Sequence, residues 1–148
     1  MTDPTGAMFG LISGPEPEGA WLSTEPGSVT WVELLTRDPS AAETFYAVLF
    51  GWKATTEATS GAPYTTFQLD GDPVAGMMRM PETVPAGAPA HWAVYLAVAD
   101  CDAAVARATE LEGQVLHPPT TVGQDRFAVL ADPGGATFDL LASAPADR

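Results

Sequence analysis

The most informative stretch of this 148-residue chain is residues 38–52, which read DPSAAETFYAVLFGW. It predicts one helix with a defined start and a defined end. Asp38 can accept hydrogen bonds from the free N–H groups of the first turn, and Pro39 suits the first helical position. Gly51 can take the left-handed conformation that ends a helix. Apolar residues recur at helical spacing and predict the buried face: Ala42, Phe45, Tyr46 and Leu49.

The same pattern returns 62 residues further on, which indicates an internal duplication. Asp38 is matched by Asp100, and Gly51 is matched by Gly113. The apolar strand before the first helix is matched by another before the second. The chain therefore predicts two copies of one unit, each made of a strand, a helix and three further strands.

Turn signals and alternating apolar residues divide each unit into elements. The first is predicted to contain strand 28–36, helix 38–50 and strands 52–57, 64–69 and 74–80. The second is predicted to contain strand 91–98, helix 102–112 and strands 114–116, 126–131 and 136–142, with a loop at 117–123. We expect an α+β fold of paired βαβββ modules whose sheets form a curved cup. The domain would span 28–148, with modules at about 28–80 and 90–142 and an N-terminal extension over 1–27.

Smaller predictions concern turns and packing. Residues 70–73 are a hairpin signal and residues 60–63 a turn signal. In the extension, apolar residues 8–12 predict an edge strand or a cover over an opening, and Trp21 predicts a second anchor. In the second helix, Leu111 is expected to face inward, with Gly113 ending the helix.

Composition excludes several classes of partner. The formal charge of −13 comes from 19 acidic and only 6 basic residues. Without a basic stripe, binding to nucleic acid is not expected. Adhesion to an anionic membrane is not expected for the same reason.

The single cysteine, Cys101, excludes an internal disulfide. It lies between Asp100 and Asp102, whose charges disfavour a thiolate, so a structural or surface cysteine is expected rather than a nucleophile. The chain has no apolar run of the length a membrane helix needs and no signal-peptide pattern, so a cytoplasmic location is expected.

Several segments together resemble the vicinal oxygen chelate superfamily, which includes glyoxalase I, bleomycin-resistance proteins and extradiol dioxygenases. The segments are WVEL at 31–34, LFGW at 49–52, VAGMM at 74–78, HWAVYLAV at 91–98 and DPGGATF at 132–138. The resemblance implies paired βαβββ modules with a ligand held in the sheet cup. A homodimer is a separate expectation, with the N-terminal apolar strand as the segment that would pair. Within the superfamily, the chain resembles the second domain of actinobacterial two-domain proteins described as glyoxalase-like or as provisional hydroxylases.

The resemblance also implies where a metal would be bound. Family members that use one place its ligands on four strands, at positions that correspond here to Trp31, Met77, Ala93 and Asp139. Of these only Asp139 suits a hard divalent ion, and a catalytic metal needs about three protein ligands. We therefore expect no cofactor and no catalytic metal. The alternative is a displaced divalent-metal site made of Glu33, His91 and Asp139.

Strand alternation places candidate site residues on shared faces. Trp31 shares a face with Glu33, and Ala93 shares one with Tyr95. One carboxylate, Glu33 or Asp139, could act as a general base, with Tyr95 as acid or oxyanion donor. The alternative without catalysis is that Glu33 bonds to backbone or to a helix terminus and that Asp139 meets solvent at the mouth of the cup.

Further residues are candidates for contact with a ligand. They are Trp31, Met77, Ala93, His91 and Arg126. For His91 a rim residue is favoured over a base. Arg126 is consistent either with contact to an anionic ligand or with an ion pair to Asp125 or a neighbouring acid. The favoured function is binding of a small apolar or aromatic organic molecule in the cup. The alternatives are a metal-independent enzyme of secondary metabolism that uses Glu33, Asp139 and Tyr95, a metal-dependent lyase or dioxygenase, and an interaction domain with a filled cup.

Overall fold

A computed structural model describes residues 1–14, 22–58 and 62–143. The predicted anchor Trp21, residues 60 and 61 of the predicted turn and the tail after residue 143 lie outside these ranges. The chain divides into two compact units. Unit 1 combines Met1–Pro17 with Val32–Trp92, and unit 2 combines Glu18–Trp31 with Ala93–Arg148. Each unit is described by itself.

The elements follow the predicted order and confirm an α+β fold of two βαβββ modules. The first module contains β1 Val29–Thr36, α1 Pro39–Phe50, β2 Lys53–Glu57, β3 Tyr64–Leu69 and β4 Asp72–Arg79. The second contains β5 His91–Ala97, α2 Cys101–Glu110, β6 Gln114–Val122, β7 Asp125–Ala131 and β8 Thr137–Ser143. No helix within the described ranges is both long and apolar enough to cross a membrane.

Helix α1 begins and ends at the predicted residues. The Asp38 carboxylate accepts a hydrogen bond from the Ala41 N–H at 3.1 Å. Gly51 is left-handed with φ 73°, and its N–H donates to the Ala47 carbonyl. Leu49, predicted to be buried, is 41% exposed. The prediction is wrong because the buried face of α1 follows residues 42, 46 and 50, which are four positions apart. Residue 49 therefore points away from the core.

In unit 1 the strands lie in the order β2-β3-β4-β1. Strand β1 pairs with β4 in parallel, with Leu34 opposite Met77. These two side chains are buried with Tyr46 and Phe67 in the core between this sheet and α1. The β3–β4 turn is the predicted Asp70-Gly71 turn, with φ 54° and 97°.

The N-terminal arm, residues 1–10, is part of unit 1 and packs on α1. It is a tight loop rather than the predicted edge strand, closed by a single bridge between Thr2 and Met8. The Asp3 carboxylate is buried and accepts hydrogen bonds from the backbone of Thr5 and Ala7. It also accepts one from the Tyr46 hydroxyl at 3.0 Å, which ties the arm to α1.

In unit 2 the strands lie in the order β5-β8-β7-β6. One sheet face packs on α2 through Leu96, Leu130 and Leu140. Cys101 lies in this core, so of the two expected readings the structure shows the structural one. Burial raises the pKa of its thiol, with the Asp102 carboxylate adding to the rise. Asp100 accepts a hydrogen bond from the Ala103 N–H at 3.0 Å and so begins α2 as predicted.

The end of α2 differs from the prediction. Leu111 is 57% exposed, and the left-handed residue is Glu112, with φ 65°, rather than Gly113. Gly113 is needed for another reason: a Cβ there would lie 2.9 Å from the Ala108 carbonyl oxygen. Helix α2 therefore ends at Glu110, two residues earlier than the end of α1 at Phe50 implies at the offset of 62.

The predicted loop 117–123 is wrong. Strand β6 continues to Val122 through Pro118 and Pro119. Its pairing with β7 shifts register on both sides of His117. A proline lacks an N–H, so it fits where the ladder is interrupted and the strand is last in the order.

Candidate functional site

The most suggestive surface of unit 2 is the sheet face that does not contact α2, here called face A. Tyr95 on β5 is the direct register partner of Asp139 on β8. The residues that follow them, Leu96 and Leu140, pack on α2. Because alternate residues of a strand point to opposite faces, Tyr95 and Asp139 lie together on face A. Of the three residues predicted for acid–base chemistry, these two are neighbours.

Asp139 is only 5% exposed, whereas Tyr95 is half-buried. A buried carboxylate beside a phenol is an arrangement that can hold or pass a proton to a ligand. Strand register also places Val129 opposite Asp139 and Phe127 opposite Leu141. The two polar groups are therefore bordered by apolar side chains.

A stacked aromatic pair extends face A. The His117 ring lies 5.3 Å from the Phe127 ring, and the two planes are 8° apart. His117 Nε2 is 3.0 Å from the Thr120 hydroxyl. This pair was not expected from the sequence, since residues 117–123 were predicted to form a loop. The alternation of Phe127 and Val129 along their strand was the signal that could have found the apolar part.

Glu33, the third predicted acid–base residue, belongs to unit 1. It is 5% exposed and pairs with Gly76 on β4. Leu34 packs in the α1 core, so Glu33 lies on the opposite face of its sheet. Met78, whose register partner on β3 is Tyr64, lies on that same face.

Met77 is not on that face. It is 1% exposed and packs in the core beside Leu34, so the structure does not support the predicted ligand contact. The reason is a shift of one residue in the duplication. Glu33 corresponds to Tyr95 at the offset of 62, but their register partners Gly76 and Asp139 differ by 63. The counterpart of Asp139 is therefore Gly76.

The remaining candidates for ligand contact lie at strand starts. His91 is exposed, and its Nδ1 is 3.1 Å from the Pro89 carbonyl oxygen, in keeping with a rim residue. Trp31 and Ala93 are half-buried. Ala93 shares a face of β5 with Tyr95 and so lies on face A.

The Arg126 side chain does not lie on face A. Its guanidinium donates two hydrogen bonds to the Asp102 carboxylate on α2, one of them at 2.7 Å, and a third to Thr121. The hydrogen bond from Arg126 holds the pKa of Asp102 below its usual range. Of the two predicted alternatives, the structure shows the ion pair.

The residues at the family's metal positions do not fit a metal. Trp31 and Ala93 offer no useful donor, and neither Met77 nor its register counterpart Gly76 offers an oxygen or nitrogen side chain. Within residues 1–14, 22–58 and 62–143, no group of three His, Cys, Asp or Glu side chains could hold a metal ion. The displaced set of Glu33, His91 and Asp139 is therefore not assembled there.

Comparison with known proteins agrees with this fold. Residues 28–140 match the model of the Glyoxalase/Bleomycin resistance protein/Dioxygenase superfamily, and the chain belongs to that superfamily. A solved structure of Streptomyces coelicolor methylmalonyl-CoA epimerase shares the fold, with a TM-score of 0.61 and 19% identity. The match covers 84% of this chain and 99% of that one.

Curated relatives are more similar in sequence. A protein provisionally named glyoxylase CFP32, from Mycobacterium bovis, is 42% identical over 147 residues, which cover 98% of this chain and 55% of the relative. The anthracycline biosynthesis protein DnrV of Streptomyces peucetius is 39% identical over 141 residues, which cover 95% of this chain and 50% of the relative. The chain thus spans about half the length of the curated relatives it matches.

Proposed function

We propose that this chain binds a small apolar or aromatic organic molecule on face A and that no catalytic metal takes part. The observation that carries the proposal is the stack of His117 on Phe127 beside Val129 and Leu141. The exposed His117 ring is stacked on the half-buried Phe127 ring, and aromatic and branched side chains on a sheet face form a surface on which a flat ring can lie. The Tyr95–Asp139 pair adds the few polar groups that orient a ligand in a mostly apolar site.

The names of relatives support a ligand of this class. DnrV is described as an anthracycline biosynthesis protein, and anthracyclines contain fused aromatic rings with hydroxyl and keto groups. Such a molecule presents a flat apolar surface together with donors and acceptors at its edge. The first property suits the His117–Phe127 stack, and the second suits Tyr95 and Asp139.

Titration with 1,8-dihydroxyanthraquinone, followed by its absorbance, tests the proposal. We expect saturable binding that Phe127→Ala weakens about tenfold, since truncating an aromatic side chain in contact with the ligand removes more than about 1 kcal/mol of contact. Val48→Ala is the matched control, because Val48 is 84% exposed on α1 and lies off the sheet. Equal binding by both variants and the unaltered chain would contradict the proposal.

A second candidate function is metal-independent proton transfer on such a ligand. It is favoured by the adjacency of Tyr95 and the buried Asp139 on face A. Asp139 would remove a proton next to a ketone, and the Tyr95 hydroxyl would donate a hydrogen bond to the developing oxyanion. Glu33 of unit 1 is the other candidate base.

Hydrogen exchange distinguishes enzyme from binding module. The test follows loss of the proton next to the carbonyl of 1-tetralone in D₂O by NMR. If the chain is an enzyme of this kind, it accelerates exchange, and Asp139→Asn abolishes the acceleration while binding persists. If the chain binds 1-tetralone but does not accelerate exchange, the proton-transfer function is contradicted and only the binding function stands. A cytoplasmic location and pairing of two copies remain predictions.

A further inference from the structure

Unit 1 contains a second aromatic pocket that the proposed function does not use. It has a volume of about 320 Å³, within the range of sites for small organic molecules. It is lined by Tyr46 and Phe50 on α1, by Trp52 just after the helix and by Val32 and Trp92. Residues 8–10 of the N-terminal arm complete the lining.

The pocket lies on the opposite side of the β1 strand from Glu33. Val32 and Leu34 pack against the α1 core, whereas Glu33, between them, points to the other face. The site is therefore built from the helix-packed side of unit 1, where Tyr46 was predicted to lie on the buried face of α1.

Ring geometry defines the ligand that fits. Trp52 and Trp92 are half-buried, and their rings meet nearly at a right angle, 86°, with centroids 6.4 Å apart. Phe50 lies 5.0 Å from Trp52 at 37°. A planar ring placed in this corner can stack on one indole and meet the other with its edge, which are the two favoured aromatic geometries.

Two polar groups of the wall, on Trp92 and Tyr46, are satisfied by hydrogen bonds within the protein. Trp92 Nε1 donates to the Tyr46 hydroxyl at 3.1 Å, and that hydroxyl donates to Asp3. Burial and the Asp3 charge both raise the pKa of Tyr46, so the phenol stays neutral. A ligand here gains apolar contact but no charge partner, which favours a neutral molecule.

The N-terminal arm contributes three of the residues that line the pocket, Met8, Phe9 and Gly10. Asp3 anchors it to Tyr46, and the Phe9 ring packs edge-on against Tyr46 and Phe50 with centroids 5.8 and 6.3 Å away. Met8 at the rim is 78% exposed. The anchor thus holds an adaptable thioether side chain and a glycine, Gly10, at the entrance.

We propose that this pocket of unit 1 binds a neutral planar aromatic molecule between Trp52, Trp92 and the N-terminal arm. It is a site separate from face A, built from different elements. Its occupancy would hold the arm more firmly against α1, since the ligand touches both.

The test uses the full chain and the neutral fluorophore N-phenyl-1-naphthylamine. We expect saturable binding and, in ¹H–¹⁵N spectra, shifts of the indole N–H signals of Trp52 and Trp92, assigned with Trp→Phe variants. Gly10→Leu should weaken binding about tenfold by filling the entrance. Gly87→Leu is the matched control, since a Cβ meets nothing within 4 Å at either glycine and neither has a positive φ.

Several results would overturn the proposal. They are an absence of saturable binding, equal affinities for Gly10→Leu and Gly87→Leu, and indole shifts that omit Trp52 and Trp92. Self-association that Gly10→Leu abolishes would show that a second copy fills the pocket, and would also overturn it. Phe127→Ala separates the two sites: it should weaken the anthraquinone at face A and leave the fluorophore shifts at Trp52 and Trp92 unchanged.

Discussion

At the scale of single residues, the most consequential group is the chain of hydrogen bonds from Trp92 through Tyr46 to Asp3. Tyr46 is 1% exposed, and its hydroxyl both accepts and donates. A buried polar network of this kind stabilises only when every member is satisfied. It joins the N-terminal arm, α1 and the start of β5 within unit 1.

Tyr46→Phe should lower the free energy of unfolding by about 1–3 kcal/mol, because it leaves the buried Asp3 carboxylate and the Trp92 N–H each without one partner. Urea denaturation at pH 7 measures the loss. Val48→Ala, on the exposed side of the same helix, is the control and should change little. Equal stability of Tyr46→Phe and the unaltered chain would show that the hydroxyl is not part of the network in solution.

The same residue predicts loss of stability at alkaline pH. Burial raises the pKa of Tyr46 in the folded state, so the folded chain keeps a proton that the unfolded chain releases above about pH 10. Its contribution is complete below that unfolded pKa and declines as pH rises toward the folded one, with a slope of about 1.4 kcal/mol per pH unit. Urea denaturation between pH 9 and 11 should show a shallower decline for Tyr46→Phe.

Asp102 predicts the opposite direction at acidic pH. Its pKa is lowered in the folded state by the hydrogen bond from Arg126, so its contribution is present above the unfolded pKa, about 3.9, and declines as pH falls through the folded one. Asp102→Asn should be less stable than the unaltered chain at pH 7, and the difference should shrink at pH 3. A difference independent of pH would show that the ion pair does not form in solution.

At the scale of elements, the two helices show how one pattern is realised in two ways. Both start at an aspartate cap, as their sequences predict. They end differently, because Gly51 supplies the left-handed residue after α1 whereas Glu112 takes that role after α2. Gly113 is freed for close contact with the backbone of Ala108 and Ala131.

This difference predicts that replacing each glycine by alanine lowers the free energy of unfolding by a different amount. Gly51→Ala has open space for its Cβ and should cost about 1–2 kcal/mol for the left-handed conformation alone. Gly113→Ala should cost more, since its Cβ would meet backbone atoms that cannot move independently. Thermal unfolding of both variants checks the order. The reverse order would indicate that the α2–β6 connection relaxes freely.

At the scale of the whole molecule, charge is the dominant property. A net charge of −13 and a pI near 4.1 imply strong self-repulsion at neutral pH. Raising NaCl from 20 to 200 mM shortens the screening length, which is about 10 Å at 0.1 M. Because the repulsion between acidic groups then weakens, the urea concentration at the midpoint of unfolding at pH 7 should rise. The control is the same pair of salt concentrations near the pI, where we expect little change. A fall at pH 7 would show that attractive ion pairs dominate.

Much of the fold was predictable because it depends on local rules. The aspartate caps, the Gly51 stop and the Asp70-Gly71 turn each follow from the conformational preferences of a few neighbouring residues. The candidate site was less predictable. Met77 was misplaced because a one-residue difference in register moves a side chain to the other face of a sheet. His117 was misplaced because β6 tolerates two prolines through interrupted pairing.

The sequence by itself determined the duplicated βαβββ modules, the helix boundaries to within about two residues, the acidic charge and the unsuitability of the family's metal positions. Tertiary structure decided which residues meet. It paired Tyr95 with Asp139, turned Arg126 to Asp102, stacked His117 on Phe127 and placed the N-terminal arm on α1. The physical reason is that caps and turns are set by neighbours in the chain, whereas register and packing are set by contacts between distant segments.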